Sequence, residues 1–438
     1  MSNSQVSYMI HERGAVVSLK IRIKETLAKL FIILFAVSRL VFYNGASWNG
    51  SYGFYSMAPT VGSIDQILLA LSNAVGILFS FCCFKDYLKR CNRYKAEVGI
   101  IGATLILFIS MYWIADFLTH NSFTLLWVGN FTPLTLLFGN VLFSGYDDDL
   151  MRSISYFSKY VAIVFLGLSL IRTIQFYIEY GGVGVRYGNS NIMSYFIYGF
   201  YALTLFVCGN KEFGYCKNNT IIFTLIFLAF LLSVASVSRG WIIQTLALLL
   251  YAYLGKDVSG NKYQNKFISR LIAILIIIGI VILIIIQFAP NIVITLAGRL
   301  NQDTRSLQIS EFMSQMTVGK IFTGQGYNAT YMESAHGNYS YIDNQFLMMI
   351  FRYGLIPLFL YAIILLKSCW GFIKYRIGYG FSSLMWLAAL NGLAIYLGFG
   401  IDIPNMLMMF VISRSLAIQD WNSQEKLVQI KNMEDQNE

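Results

Sequence analysis

The chain has 438 residues, 57% of them apolar and only 12% charged, with a mean hydropathy of +0.59. A soluble globular chain carries about 25% charged residues, so the composition excludes a soluble protein and points to an integral membrane protein with many spans. The net charge of +10 is first a topology signal, because Lys and Arg collect on the cytoplasmic side; it makes anionic lipid and a phosphorylated lipid substrate better partners than nucleic acid.

A transmembrane barrel would show weak alternation over about ten residues. Here the apolar runs are continuous and close to 20 residues, which is the signature of helices. The expected fold is an all-α polytopic membrane protein of about twelve transmembrane helices. The spans are expected near residues 27–43, 63–84, 97–118, 122–144, 158–180, 190–209, 219–237, 241–255, 267–288, 343–366, 381–400 and 403–419. Residues 1–438 are read as one integral membrane domain. The stretch through Lys24 is polar and charged, with no short apolar run and cleavage site after it, so the first span is expected to remain as an anchor.

Charge tests these spans independently of hydropathy. Arg13, Lys20, Arg22, Lys24 and Lys29 precede or open the first span, and Lys85, Lys89, Arg90, Arg93 and Lys95 follow the second. Lys256, Lys262, Lys266 and Arg270 follow the eighth, and Lys367, Lys374 and Arg376 follow the tenth. All fall on one side if the N-terminus is cytoplasmic. Both termini then lie in the cytoplasm, and the loops 44–62, 181–189 and 289–342 face outward. The seventh and eighth spans form one long apolar run, split here at Ser238-Arg239-Gly240 because Arg costs ~2.5 kcal/mol or more at a helix centre. Without that split, the basic clusters after spans eight and ten would lie on opposite sides. No internal repeat or low-complexity linker stands out, and the polar tail from Asn422 to Glu438 is expected to be frayed or helical at the cytoplasmic surface.

Cys82, Cys83, Cys91, Cys208, Cys216 and Cys369 all fall outside the outward segments, and no pair has zinc-site spacing. Neither a disulfide framework nor a metal cage is indicated.

Gly298–Gly354 is the stretch expected to carry function, since a polar loop of roughly 50 residues between spans is usually more than a connection. Within it Ile309, Phe312, Met313 and Met316 recur at helical spacing, which predicts an amphipathic helix over 303–317. Such a helix either lies on the outer membrane surface or caps the bundle.

Arg39, Arg172, Arg186, Arg239, Arg299, Arg305 and Arg352 lie outside the basic clusters. An intramembrane or outward-facing Arg is costly and is a functional candidate by default, and its planar fork of donors grips phosphate. Arg39 reads as structural, whereas Arg239, Arg299 and Arg305 together suggest a pyrophosphate clamp. Arg352 lies nine residues beyond Asp343 in the same expected helix, on the opposite face and about 13 Å deeper. A structural pair with another acid, such as Asp402 or Glu179, suits it better.

His336 is the one histidine in the long loop, and a neutral imidazole there could accept a hydroxyl proton. Asp343 competes for that role; its plainer reading is an N-cap for the tenth span. Gly181-Gly182-Val183-Gly184 and Gly324-Gln325-Gly326 could expose backbone amides to phosphate, although turns are the commoner use. Tyr327, Tyr331, Tyr339 and Tyr341 crowd the loop and could stack on sugar rings.

Arg186-Tyr187-Gly188-Asn189-Ser190-Asn191, Ser238-Arg239-Gly240 before an apolar span, Gly298-Arg299 with Arg305 and Gly324-x-Gly326 resemble, in that order, features of the O-antigen polymerase and ligase superfamily. His336-x-Asn338, Asp343-Asn344-Gln345-Phe346 and Gly354-Leu355 are similar to the end of its large external loop and the following helix. The resemblance covers roughly 185–365, and the first half of the chain is matched only by its pattern of spans. It implies a GT-C-like membrane glycosyltransferase of the Wzy type in the bacterial inner membrane, with the large loop between helices nine and ten facing outward. The implied substrate, as donor and acceptor, is an undecaprenyl-pyrophosphate-linked oligosaccharide, polymerised into O-antigen or capsular polysaccharide. A chain-length regulator and a flippase are the implied partners beside the bilayer, and no cofactor or metal is implied. His336 and Asp343 would be the catalytic candidates, with Arg186, Arg239, Arg299, Arg305 and Tyr327 binding pyrophosphate and substrate. Ligase relatives show a sharper His-Asn, which Gly337 interrupts here, so polymerase is preferred to ligase; a lipid-linked-sugar flippase is the third reading.

Overall fold

The computed structural model describes residues 23–41, 46–49, 54–57, 59–90, 143–180, 190–216, 219–236, 238–254, 304–325, 330–334, 337–339, 342, 344–375, 378–393 and 403–434, with isolated positions at 279, 287 and 294. The described chain is overwhelmingly helical. Helix α1 covers 23–41. A hairpin of β1 (Ala46–Asn49) and β2 (Phe54–Met57) leads to α2 (Pro59–Arg90). A 3₁₀ turn, Ser144–Tyr146, precedes α3 (Asp148–Tyr180), followed by α4 (Ser190–Phe213), α5 (Thr220–Ala235) and α6 (Arg239–Leu254). Then come α7 (Thr304–Ser314), α8 (Val318–Thr323), the hairpin β3 (Tyr331–Glu333) and β4 (Gly337–Tyr339), and α9 (Gln345–Tyr353). The chain closes with α10 (Leu355–Tyr375), α11 (Gly378–Ala388), a π turn at Ala389–Leu393, and α12 (Ile403–Glu434).

Uninterrupted Leu, Ile and Phe runs make these helices, and proline placement spares them. Pro59, Pro357 and Pro404 each sit in the first turn of a helix, where a missing N–H breaks no intrahelical bond.

Side-chain contacts fix the helix directions. Ser72 on α2 donates to the Phe31 carbonyl on α1 at 3.3 Å, while Ser38 meets Asp65, so α1 and α2 run antiparallel. Phe165 meets Tyr198 edge-on at 5.3 Å and Ser155 lies beside Gly209, which makes α3 and α4 antiparallel. The pairs Ser233–Thr245 (3.4 Å) and Phe223–Tyr253 (5.8 Å) do the same for α5 and α6. Ser368–Ser383 (2.6 Å) and Trp386–Tyr361 (2.8 Å) reverse α11 against α10. Ser415 donates to the Ser368 carbonyl at 2.9 Å and Tyr375 meets Ser423 at 3.1 Å, so α10 and α12 are parallel.

The bundle therefore has two distinct ends. One gathers the starts of α1, α3 and α11 and the ends of α4, α6 and α10. The other holds the start of α6, the α9–α10 junction and the end of α11. Between them lies an aromatic core in which Trp241 packs edge-on against Phe196, Phe200 and Tyr201, and Tyr201 meets Trp386 at 4.9 Å.

By length and composition, two described helices can cross a membrane, Ser63–Cys83 and Asp148–Ile178; Thr220–Ala235 is a shorter apolar helix. The expected split of the 219–255 run is present, because α5 ends at Ala235 and Ser238 starts the next helix by accepting from Ile242 N at 3.0 Å. Both pieces have 16 residues, about 24 Å of helix and less than the roughly 30 Å of a bilayer core. The single tenth helix expected over 343–366 is instead two, α9 and α10, broken at Gly354. The fifth starts ahead of expectation at Asp148, and the twelfth continues to Glu434, so the described part of the expected tail is helical. The third expected span, the fourth but for residues 143 and 144, and all of the ninth but residues 279 and 287 lie outside the described residues.

Candidate active-site layer

Elements α7, α8, β3, β4 and α9 form a small layer with its own core of Phe312, Tyr331, Ile342, Met348 and Phe351. The rings of Phe312, Tyr331 and Phe351 meet edge-on at 5.3–5.8 Å, the arrangement that aromatic quadrupoles favour.

Polar side chains close the backbone around that core. Gln315 accepts from Met332 N at 2.9 Å and donates to Met332 O at 2.7 Å, satisfying one strand edge. Glu311 accepts from Ser334 N at 3.1 Å. Gln308 donates to the buried Glu333 at 3.3 Å, joining α7 to the hairpin. The expected amphipathic helix exists, but the stripe that it buries is rotated. Phe312 is fully buried with Gln308 and, in part, Met316, while Met313 is exposed. Hydropathy passed over Gln308 because it is polar; its partner Glu333 makes its burial affordable.

The layer is fastened to the bundle at two places. Asn344, one residue later than the expected cap Asp343, is the N-cap of α9; its side chain accepts from Phe346 N (3.0 Å) and Leu347 N (3.2 Å). The same side chain donates to Asn391 in the π turn at 3.4 Å. At the other end of α9, Gly354 (φ +86°) and Gly324 (φ +72°) lie back to back, and Gln325 N donates to Phe351 O at 2.8 Å. In this arrangement Gly324-Gln325 serves as a docking turn.

Arg239 is the exposed first residue of α6. Both α6 and α9 pack on the π turn, which puts Arg239 at the end of the bundle that carries the layer. Arg305 is the second residue of α7, one turn before Gln308; its side chain is outside the described set. Tyr331 lies in the layer core and Tyr339 packs against it. Arg186, Arg299, Tyr327, His336, Tyr341, Asp343 and the Gly181–Gly184 run lie outside the described residues. Arg39 pairs with Asp65 at 3.8 Å, in keeping with a structural role, and Arg172 donates to Gln175 at 3.0 Å. Among the described residues no cluster of His, Cys, Asp and Glu could hold a metal ion, and Cys82, Cys83, Cys208, Cys216 and Cys369 are free thiols.

At the opposite end sits a charged network that sequence reasoning missed. The buried Arg414 donates through Nε to Glu212 at 3.0 and 3.2 Å, and through Nη1 to Asp148 at 2.7 Å and the Gly145 carbonyl at 2.7 Å. Its guanidinium lies 4.8 Å from the Trp421 ring. Lys24 pairs with Asp147 beside it. Tyr215 donates to the Arg152 carbonyl at 2.8 Å and meets Ser155 at 2.6 Å; burial raises its phenol above the ordinary tyrosine range.

No family model, no curated protein and no solved structure matches this chain.

Proposed function

We propose that the chain is a polysaccharide polymerase of the bacterial inner membrane. It would extend undecaprenyl-pyrophosphate-linked oligosaccharides into O-antigen or capsular polysaccharide at the outer face. The observation that carries this reading is the folded layer of α7 to α9, seated on a helix break at the end of the bundle that also presents the exposed Arg239.

The helix directions support the twelve-span topology with both termini cytoplasmic. Lys24, Lys211, Lys374 and Arg414 all belong to the end assigned to the cytoplasm by charge. Helix α6 ends there, whereas α7 belongs to the opposite end, and the expected ninth span would return the chain across. The expected third and fourth spans would likewise return it from the end of α2 to the start of α3.

The chemistry suits arginine and a base. The acceptor sugar hydroxyl attacks the anomeric carbon of the donor, and the bond from that carbon to the pyrophosphate oxygen breaks. Undecaprenyl pyrophosphate leaves with the electron pair, and the hydroxyl proton passes to His336 or Asp343. A single displacement inverts the anomeric carbon. The leaving group needs positive charge, not a proton, which Arg239, Arg305, Arg299 and Arg186 would supply, with Tyr327 against a sugar. Membrane helices that hold two lipid-anchored reactants in register lower the entropic part of the barrier.

Gene deletion tests the assignment on a surface-glycan gel. A polymerase mutant leaves lipid core bearing a single repeat unit. Accumulated lipid-linked polymer with none attached would make the protein a ligase, and repeat units trapped inside the cell would make it a flippase.

A further inference from the structure

The outer surfaces of α7 and α8 differ in chemistry. On α7, Ser306, Ser310 and Ser314 follow one another at i, i+4 and are all exposed, so its outward ridge is polar, with Leu307 and Met313 exposed singly beside it. On α8, Val318 and Phe322 follow at the same spacing and are 73% and 52% exposed, while the exposed Lys320 falls on the opposite side of the helix. The backbone of Phe322 rests on Gly354, immediately before the first residue of α10. Helix α10 has 21 residues, about 31 Å of helix and close to the thickness of a bilayer core. Its exposed Phe359, Leu366, Trp370 and Ile373 fall within about 60° of one another around the helix axis. Lys374, 5.2 Å from the Tyr375 ring, closes the far end of that stripe, as aromatic and basic residues do at a membrane interface.

We propose that α8 is a membrane foot. Val318 and Phe322 enter the outer leaflet where it meets the head of α10, and Lys320, on the opposite side of the helix, stays in water. The serine ridge of α7 stays in water. The inference rests on the membrane reading above and adds to it the height of the candidate active-site layer. The foot sets that layer at the level of the headgroups, where the pyrophosphate of a lipid-linked donor would lie.

The test places a small environment-sensitive fluorescent amino acid in turn at positions 318, 310 and 366 of the full-length protein, in nanodiscs of phosphatidylethanolamine and phosphatidylglycerol. Quenching by aqueous iodide is compared with quenching by lipids carrying a shallow or deep nitroxide. The expected result is loss of iodide quenching and strong shallow-nitroxide quenching at 318, the reverse at 310, and deep-nitroxide quenching at 366. If 318 is as open to iodide as 310 while 366 is shielded, the foot is wrong and the membrane reading stands. If 366 is open to iodide, the membrane reading falls and the foot falls with it.

Discussion

Gly324 and Gly354 hold each other's backbone at a distance that only a hydrogen side chain permits. A methyl carbon added to Gly324 would lie 2.8 Å from the Gly354 nitrogen, and one added to Gly354 would lie 3.0 Å from the Gly324 nitrogen. Both residues have positive φ, so an L side chain is penalised twice, by backbone conformation and by contact. This contact joins a loop of the candidate active-site layer to the break between α9 and α10.

Gly354→Ala is therefore expected to loosen the layer while sparing the bundle. The conformational term alone is about 1–3 kcal/mol, because Gly354 pairs its positive φ with an extended ψ of −179°. Limited proteolysis in nanodiscs should cut within 304–342 faster in the variant, while the helical signal and monodispersity are retained. Unchanged cleavage would mean that the contact does not hold the layer.

Replacing Arg414 should destabilise the whole bundle instead. Its guanidinium is 2% exposed, and the Glu212 side chain 23%. Breaking one side of a buried pair costs about 3–5 kcal/mol, and the low end applies here because Glu212 reaches solvent. Arg414→Met should lower the thermal midpoint in detergent clearly, and Arg414→Lys should recover only part, since an ammonium lacks the fork that engages Glu212, Asp148 and Gly145 together. The double variant Arg414→Met, Glu212→Gln should lose less than the two single losses combined. Strict additivity would show that the pair does not act as a unit.

Much of this was legible in the sequence. Hydropathy anticipated most of the described helices, because a long apolar run shows its helical character over a whole segment. The break at Ser238-Arg239-Gly240 was visible as an interruption of such a run. Arg414 was not: one charge inside an apolar window is averaged away, and its partners Asp148 and Glu212 are distant in sequence. The break at Gly354 was hidden inside an apolar run, since what makes it is Gly324, thirty positions earlier. In the layer, Phe312 and its helix were readable from periodicity, whereas Gln308 and Glu333 were not, because their burial depends on each other. The N-cap fell on Asn344 and not Asp343; the two adjacent Asx residues offered the same chemistry to the helix start.

Tyr215 supplies a pH test at the charged end. Its folded phenol titrates above the unfolded value of about 10, so the protonated form is favoured by folding. Its contribution is complete below pH ~10 and is lost as pH rises through the raised folded value. Wild-type melting temperatures should fall more steeply above pH 10 than those of Tyr215→Phe, measured by fluorescence from pH 8 upward. Parallel curves would remove this role.

Arginine variants test the clamp. Arg239→Ala and Arg305→Ala should each insert normally yet lose roughly 10²-fold in polymerisation, the scale of one lost transition-state donor. Membrane fractionation and a glycan ladder read the two properties separately. Near-normal chain length in both variants would remove the clamp.

The most direct measurement of the central claim uses purified protein in proteoliposomes loaded with an undecaprenyl-pyrophosphate-linked repeat unit, with a metal chelator present and no nucleotide. The account predicts lipid-linked chains of two or more repeats, with one undecaprenyl pyrophosphate released per bond formed and that release slowed roughly 10²-fold by Arg239→Ala. Repeat units that stay single, or that only move between leaflets, would contradict it.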